Sequence, residues 1–248
     1  MRTLLVIGMG AGSPGHITQD AVAALKQADA VVALDKGDVK ADLLRLREQI
    51  VSTHAPDVPL IAVTDPQRDR NPADYRSEVT RWHAARARLL AETITTHVPD
   101  GGTAAFLVWG DPSLYDSTLR VIDRMRRDCA LECEVQVFPG ITAIQALTAA
   151  HAITINRIGE PILVTTARML PRTPEQLLGN CVVMLDGADG WNSLKNTGTE
   201  IFWGAYLGTD KQIIRHGMID DIGDSLAQLK TDLRREHGWI MDTYLLRR

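Results

Sequence analysis

A short apolar run that stops in a rigid loop is the feature that most constrains the fold of this chain. Residues 104–108 have the composition of a buried parallel strand, and Trp109-Gly110-Asp111-Pro112 follows directly. Gly110 permits backbone angles that a side chain would forbid, while Pro112 fixes its own φ and keeps Asp111 extended. Such a loop exposes backbone N–H and C=O groups at the edge where open α/β sheets bind ligands. It is a candidate binding site, with an ordinary strand-to-helix turn as the alternative.

Strand-like and helix-like segments alternate through the first half of the chain. Strands are predicted at residues 4–7, 30–34, 60–63 and 104–108, and helices after the N-cap residue Thr18, at 42–49 and at 75–94. Further strands are predicted at residues 134–138, 161–165, 181–185, 201–207, 212–215 and 239–246, with helices at 119–125, 141–150 and 224–235. Strands that follow one another without a helix favour antiparallel pairing. The pattern predicts an α/β protein with an N-terminal lobe over residues 1–112 and a mixed-sheet lobe over residues 113–248.

Composition narrows the class of protein. The hydrophobic fraction of 45% and the charged fraction of 23% are typical of a soluble globular enzyme, and a net charge of −4 argues against a nucleic-acid binder. Cys129, Cys133 and Cys181 form no metal-like pairs, so we expect reduced thiols and no metal site. The first apolar run is too short for a signal-peptide core, and no apolar run reaches membrane-spanning length. We therefore expect a soluble cytoplasmic protein.

A glycine-rich loop follows the first strand. The glycines of residues 8–12, together with Asp35 at the end of the second predicted strand, are compatible with a dinucleotide-binding oxidoreductase. However, Ser13 stands where that fingerprint needs its third glycine, and Pro14 follows it. The helix begins only at Thr18, which leaves the loop too long to place a pyrophosphate on the helix N-terminus. An oxidoreductase that uses NAD remains the alternative from a different class.

Three motifs together resemble the tetrapyrrole (corrin/porphyrin) methylases. They are the glycine loop with Ile17-Thr18, the segment 109–115, and Pro-Gly-Ile-Thr-Ala at residues 139–143, in the same order and at similar spacing. The resemblance implies a class III methyltransferase with two αβα lobes, an active site in the cleft between them, S-adenosylmethionine as cofactor and a precorrin macrocycle as substrate. A homodimer is also expected from it.

Segment 34–37 and the charged stretch before Trp82 most resemble the deacetylating members of that family. Those enzymes methylate C1 of precorrin-5 and release the acetyl group that contains the extruded C20 carbon as acetate. A precorrin methyltransferase of another ring position and a non-catalytic tetrapyrrole-binding protein remain alternatives. Relatives usually carry proline where Ala11 stands, and the stretch from Thr18 to Asp35 is one residue longer here.

The resemblance also assigns site residues. The expected cofactor contacts are Gly10, Ala11, Trp109, Gly110, Asp111, Leu114, Tyr115, Thr142, Ala143, Met184 and Gly208. The expected substrate contacts are Gly12 and Pro14 in the glycine loop and the basic residues Lys36, Arg68 and Arg70, with Arg168 and Arg172 as weaker candidates. The basic residues are chosen because a precorrin carries many carboxylates.

Deacetylation needs a water molecule at the acetyl carbonyl, and a general base is one way to activate it. The candidate catalytic residues are His16, Asp35 and Tyr115. Each also has an ordinary structural role open to it. His16 can be a plain loop residue, Asp35 can cap the turn that follows it, and Tyr115 can pack on the cofactor.

Overall fold

The first five strands lie in one parallel sheet because the chain returns through a helix after almost every strand. In the computed structural model, which describes residues 1–37, 41–69 and 71–248, this sheet has the order β3-β2-β4-β1-β5. The strands are β1 (Arg2–Gly8), β2 (Ala30–Asp35), β3 (Leu60–Thr64), β4 (Thr103–Val108) and β5 (Cys133–Phe138). The helices are α1 (Gln19–Leu25), α2 (Ala41–His54), α3 (Tyr75–His97) and α4 (Thr118–Asp128).

Both faces of this sheet are covered, as the unbroken apolar strands predict. Leu4 and Val6 of β1 pack into one hydrophobic cluster with residues of α3 and α4. Leu5 and Ile7, which point to the opposite face, pack into a second cluster with residues of α1 and α2. The start of α1 also agrees with the sequence, since the Thr18 side chain accepts a hydrogen bond from the backbone N–H of Ala21.

The second sheet is mixed. It has the order β6-β7-β10-β8-β9 and contains β6 (Leu163–Thr166), β7 (Cys181–Met184), β8 (Glu200–Ala205), β9 (Ile213–Met218) and β10 (Asp242–Arg247). Only β6 and β7 pair in parallel, and the other pairs are antiparallel, as predicted from the close spacing of the strands. Two helices accompany this sheet, α5 (Ala143–His151) and α6 (Ile219–His237). Trp191, Trp203 and Tyr244 are fully buried in its core.

The division of the chain differs from the expected boundary between residues 112 and 113. One unit comprises residues 1–10 and 14–141, and the other comprises residues 11–13 and 142–248. Residues 113–141 belong to the first unit because β5 pairs along the length of β1 and because α4 packs on α3. The sequence motif at residues 110–115 therefore does not lie at the end of a unit.

Several element ends differ by a few residues from the prediction. Helix α5 begins two residues later than expected because Thr142 is its N-cap and forms a capping box with Gln145. Strand β8 ends at Ala205 because Tyr206 adopts a φ of 50°, which does not continue a strand. In the described part of the chain, no helix combines the length and apolar character needed to cross a membrane.

Candidate active site

Three glycine-containing loops meet at the carboxyl ends of β1, β4 and β5. Gly10 and Gly110 exchange backbone hydrogen bonds of 3.3 and 2.8 Å. A Cβ built on Gly8 would lie 2.5 Å from the backbone nitrogen of Gly140, and one on Gly140 would overlap the carbonyl oxygen of Gly110. Because no side chain separates them, the loops pack backbone against backbone. We call the contact of Gly8, Gly10, Gly110 and Gly140 the glycine junction.

Asp111 ties two of these loops together. Its Oδ2 accepts a hydrogen bond of 2.8 Å from the backbone N–H of Gly140, and its Oδ1 accepts one of 2.8 Å from the N–H of Ser113. Partial burial raises the pKa of the Asp111 carboxyl, but the hydrogen bonds from Ser113 and Gly140 outweigh it, so the pKa is lower than usual. The ionised carboxylate therefore fixes the loop after β4 against the loop after β5.

Trp109 and Tyr115 flank this loop and carry features that point to a ligand. The indole Nε1–H of Trp109 is buried, and no group in the described part of the chain accepts a hydrogen bond from it. Buried donors are nearly always paired, so an unpaired one indicates an unseen partner. Tyr115 holds a φ of 52°, and 45% of its surface is exposed despite its aromatic ring. Together with the glycine junction, these residues fit the expected site for a polar cofactor.

His16 lies directly beside the glycine junction. It ends a short 3-10 helix, Pro14–His16, and a Cβ on Gly10 would overlap the Cβ of His16. The ring atom Nδ1 is buried and has no hydrogen-bond partner among the described residues. Burial lowers the pKa of His16, so the imidazole is neutral at pH 7. A neutral imidazole with an unpartnered nitrogen can accept a proton.

Asp35 occupies the end of β2, and its side chain has a structural partner. Its Oδ1 accepts a hydrogen bond of 2.9 Å from the backbone N–H of Gly37, which is the turn-capping role considered from the sequence. Lys36 lies beside it and lines a cavity of about 90 Å³ at the carboxyl ends of β2 and β4. Arg47 of α2 and Asp116 line the same cavity.

Arg47 is a residue that the sequence reasoning missed. Its Nε donates to the carbonyl of Leu107 at 2.8 Å, so it braces the end of β4 from α2. Burial lowers its pKa to about 10, while the nearby Asp116 raises it, and the side chain stays charged at pH 7. Nothing in the local pattern of α2 distinguishes this arginine from its neighbours, because its role depends on a strand 60 residues away in sequence.

Arg68 is held in an aromatic setting. Its guanidinium carbon lies 5.0 Å from the ring centre of Tyr75 and 5.4 Å from that of Trp82. Its Nε is buried and has no hydrogen-bond partner among the described residues. Arg70, the second expected clamp residue, lies outside the described residues.

The segment before Arg68 is fixed by α3. Trp82 Nε1 donates to the carbonyl of Pro66 at 2.8 Å, and Arg86 forms a buried pair with Asp65 in which Nε and Oδ1 are 2.6 Å apart. Arg86 also lies 3.5 Å from the ring centre of Trp82. Residues 65–69 lack regular secondary structure, and the sequence did not indicate these anchors.

The remaining expected contacts lie in the second unit. Gly12 packs against the loop after β8, where a Cβ would lie 2.5 Å from the carbonyl oxygen of Leu207 and 2.7 Å from Thr209. Gly208 in that loop has a φ of 79°. The same unit contains Ala11, which is buried, Thr142 and Ala143 at the start of α5, and half-buried Met184 at the end of β7. Arg168 and Arg172 are exposed in the 3-10 helix Ala167–Arg172.

Metal-binding groups do not cluster within the described ranges. No three His, Cys, Asp or Glu side chains there are arranged to hold a metal ion. The buried or half-buried cysteines carry no disulfide, and burial raises the pKa of Cys181 to about 12. The candidate chemistry therefore centres on the glycine junction, Asp111, Trp109, Tyr115 and His16.

A parallel sheet whose glycine loops meet at their carboxyl ends, joined to a mixed-sheet unit, defines a class of methyltransferases. The family Tetrapyrrole (Corrin/Porphyrin) Methylases matches residues 3–223, and the chain belongs to this family, whose members use S-adenosylmethionine. The match confirms the resemblance and the α/β fold class, and it overturns the oxidoreductase alternative for the glycine loop.

Particular relatives match over the whole length. The chain is 37% identical over 250 residues to a precorrin-6A synthase [deacetylating] from Sinorhizobium sp, covering 100% of this chain and 96% of the relative. It is 55% identical to a cobalamin synthesis related protein (CobF) from Corynebacterium diphtheriae, whose crystal structure has a TM-score of 0.89 and coverage of 100% and 98%. A uroporphyrin-III C-methyltransferase from Thermus thermophilus, solved with S-adenosylhomocysteine, shares the fold at 16% identity, a TM-score of 0.62 and coverage of 99% and 97%.

Proposed function

We propose that this enzyme transfers a methyl group from S-adenosylmethionine to C1 of precorrin-5 and releases acetate, giving precorrin-6A. The observation that carries the proposal is the full-length match at 37% identity to a precorrin-6A synthase [deacetylating]. A 55% identical cobalamin synthesis related protein with a TM-score of 0.89 supports the same pathway. The proposal gives the glycine junction and the loop after β4 a cofactor-binding role.

The geometry of the loops in the first unit supports a set of proposed cofactor contacts. We propose that the backbone of Gly110 and Asp111 and the side chains of Leu114 and Tyr115 hold S-adenosylmethionine, with the unpaired Nε1–H of Trp109 as a donor. When bound, the cofactor supplies an electrophilic methyl group on its sulfonium. The chain contributes alignment, because exposed backbone carbonyls can orient a polarised methyl through weak C–H···O contacts. Gly10 and, in the second unit, Ala11, Thr142, Ala143, Met184 and Gly208 complete the proposed cofactor set.

The structure favours His16 over Asp35 as the base for deacetylation. The imidazole of His16 is neutral because burial lowers its pKa, and its Nδ1 has no partner within the described chain. Asp35 instead caps the turn at Gly37. We propose that His16 takes a proton from the water that attacks the acetyl carbonyl. The bond between the macrocycle and the acetyl carbon then breaks, its electron pair passes into the conjugated ring system, and acetate leaves. Tyr115, with its exposed ring beside the loop after β4, is proposed to pack on the cofactor.

The carboxylates of the macrocycle need cationic partners, and two basic residues in the described part of the chain are candidates for this role. We propose that Arg68 and Lys36 receive side-chain carboxylates of the macrocycle, with Gly12 and Pro14 as further substrate contacts. Arg68 is already oriented by Tyr75 and Trp82, which reduces the entropy lost on binding.

The proposal also covers the oligomeric state of the enzyme and its cellular compartment. We propose a homodimer that acts in the cytoplasm and binds no nucleic acid. Exposed apolar side chains on and after the edge strand β5, Val137 at 49% and Ile141 at 37% exposure, support self-association. The net charge of −4 supports the absence of nucleic-acid binding. Light scattering after gel filtration tests the dimer, and a single monomeric mass at micromolar concentration would contradict it.

The central experiment is a product analysis. Purified enzyme is incubated with precorrin-5 and S-adenosylmethionine labelled in its methyl group, and mass spectrometry and NMR follow the macrocycle and acetate. We expect the label on C1 and one acetate for each methyl transferred. Methylation at another ring carbon without acetate would indicate another precorrin methyltransferase. Macrocycle binding without any methyl transfer would indicate a non-catalytic tetrapyrrole-binding protein.

A further inference from the structure

The loop after β7 has an unusual conformation in the second unit. Leu185, which follows Met184 at the strand end, has a φ of 56°, and 65% of its surface is exposed. A large apolar residue rarely adopts this left-handed backbone region, and here it leaves its side chain in solvent. Asp189 in the same loop also has a positive φ, 55°. Unfavourable backbone geometry persists only where the surroundings enforce it, and it concentrates at ligand sites.

The side chain of Asp186, the next residue, stabilises this loop conformation. It is buried, and its two carboxylate oxygens accept backbone hydrogen bonds of 2.8 Å from Ala188 and of 2.8 Å from Gly190. Its Oδ2 also accepts a hydrogen bond of 2.8 Å from the hydroxyl of Tyr244 on β10. One carboxylate therefore closes the loop on itself and ties it to the central strand of the sheet.

A buried lysine completes this arrangement. Lys230 of α6 is 2% exposed, and its Nζ lies 3.5 Å from Asp186, 3.3 Å from Asp189 and 3.0 Å from Asp242. The ammonium also lies 4.9 Å from the ring centre of Trp191. A charge buried this deeply is tolerated because three carboxylates surround it. Two of the three, Asp186 and Asp189, belong to the loop.

We propose that Asp186 and Lys230 are positioning residues that hold Leu185 in its left-handed conformation, so that Leu185 forms part of the cofactor-binding surface beside Met184. The inference rests on the proposed function, because Met184 is a proposed contact of S-adenosylmethionine. It goes further in assigning a role to Leu185 and to the buried network beneath it. The expected ligand group is apolar, since the side chain that the network presents is apolar.

The test compares two buried carboxylates around the same lysine. Asp186→Asn replaces an acceptor by an amide N–H that faces a backbone N–H, so the loop loses a hydrogen bond. Asp242→Asn is the matched control, because Asp242 contacts Lys230 and the indole of Trp203 but, among the described residues, accepts no hydrogen bond from the loop after β7. Both variants remove one buried charge. Calorimetric titration with S-adenosylhomocysteine measures affinity, and thermal unfolding measures stability.

We expect Asp186→Asn to weaken S-adenosylhomocysteine binding at least tenfold and Asp242→Asn to change it less than threefold, while both lower the melting temperature. Leu185→Ala should also weaken binding at least tenfold. In the Leu185→Ala background, Asp186→Asn should then cost less than a further threefold, because the contact it positions is already lost. A role in stability alone would lower the melting temperature and leave affinity unchanged.

A second readout needs no cofactor. Hydrogen exchange of the backbone amides of Ala188 and Gly190 should be at least tenfold faster in Asp186→Asn than in the wild type, and unchanged in Asp242→Asn. If Asp186→Asn does not fold, Tyr244→Phe removes only the hydroxyl donor to Asp186 and should weaken binding about threefold.

Two results would overturn the inference: unchanged affinity in Leu185→Ala, or equal loss of affinity in Asp186→Asn and Asp242→Asn. Failure of the wild type to bind S-adenosylhomocysteine would instead contradict the proposed function. The two failures are therefore distinguishable.

Discussion

At the glycine junction, single residues determine whether the backbones of neighbouring loops can make contact. At the glycine junction even one added methyl group meets a peptide atom, so the sequence requirement for glycine has a steric cause. From the sequence, Gly110 was explained by its backbone freedom. The structure adds that close approach of three loops is the second reason, and that Asp111 holds two of them together.

Gly140→Ala tests the glycine junction. The added Cβ would overlap the carbonyl of Gly110, so the loops after β4 and β5 must separate. We expect S-adenosylhomocysteine affinity to fall at least a hundredfold, measured by calorimetry on folded protein. Gly179→Ala is the control, because its Cβ would meet Glu160 at 3.7 Å, an ordinary contact, and its backbone is unstrained. Unchanged affinity in Gly140→Ala would remove the junction from the cofactor site.

His16→Gln tests the base. Loss of the imidazole should slow acetate release by about 10²–10⁴-fold, the usual contribution of a general base, and slow methyl transfer far less. Single-turnover experiments with a labelled methyl donor, following acetate separately, measure both steps. Asp35→Asn is the matched control and should leave both rates near the wild type, since its carboxylate caps a turn. Selective loss of acetate release in Asp35→Asn would reverse the assignment.

The same residue predicts a pH dependence. Burial holds the pKa of His16 below its ordinary value of 6.5, so the imidazole becomes protonated only at more acidic pH. The neutral form is the base, and acetate release should therefore decline on the acid side, with a midpoint below pH 6.5. This acid limb should be absent from the residual activity of His16→Gln. A midpoint above pH 6.5 would contradict a buried neutral imidazole.

At the scale of elements, helix α3 and the segment before Arg68 act together. The chain after β3 carries no regular structure through residues 65–69, and Trp82 and Arg86 fix it from the helix. A helix at residues 75–94 was predicted from the sequence. The pairing of Arg86 with Asp65 was not, because it joins residues 21 positions apart across a loop.

Arg86→Met tests this anchor. The side chains of Arg86 and Asp65 are 6% and 12% exposed, and removing one partner of such a pair leaves a poorly solvated charge. We expect a loss of about 3–5 kcal/mol in the free energy of unfolding, measured with urea. Arg45→Met is the control, because Arg45 pairs with Asp42 at the surface, where ion pairs contribute about 0–1 kcal/mol. Equal losses in the two variants would show that the pair is effectively solvated.

At the scale of the whole molecule, the net charge does not favour binding of a polycarboxylate substrate. The protein carries a net charge of −4, so it does not attract a polycarboxylate by its overall field. Recognition must come from particular cations such as Arg68. Such contacts are screened by salt, whereas S-adenosylhomocysteine binding at the glycine junction is expected to be much less sensitive to salt.

Arg68→Ala tests whether an individual cation, rather than the net charge, binds the carboxylates of the macrocycle. We expect about tenfold weaker macrocycle binding, as for loss of one charge-assisted contact, and a smaller dependence of that binding on salt. S-adenosylhomocysteine affinity should stay at the wild-type value. Arg168→Ala, which removes an exposed arginine of the second unit, serves as control. Fluorescence titration measures the affinity for both ligands between about 50 and about 500 mM salt, a range over which the Debye length shortens about threefold. An unchanged macrocycle affinity would exclude Arg68 as a carboxylate contact.

The sequence by itself determined the α/β class, the parallel first sheet and the antiparallel pairs of the second. These follow from apolar runs, helical periodicity and the lengths of the connections, all of which are local in the chain. It also located the loops of the candidate site, since glycine widens and proline narrows the accessible backbone angles residue by residue. The family motifs added the cofactor before any contact was known.

Only the tertiary structure decided how residues distant in sequence meet. It placed Gly10 against Gly110, left His16 Nδ1 and Trp109 Nε1 without hydrogen-bond partners among the described residues, and assigned Asp35 to a turn. It also moved the boundary between the units to residue 141, because β5 pairs with β1. Contacts of this kind depend on strand order and burial, which no window of sequence contains. A buried lysine such as Lys230 looks like any surface lysine of an amphipathic helix until its three carboxylates are brought around it.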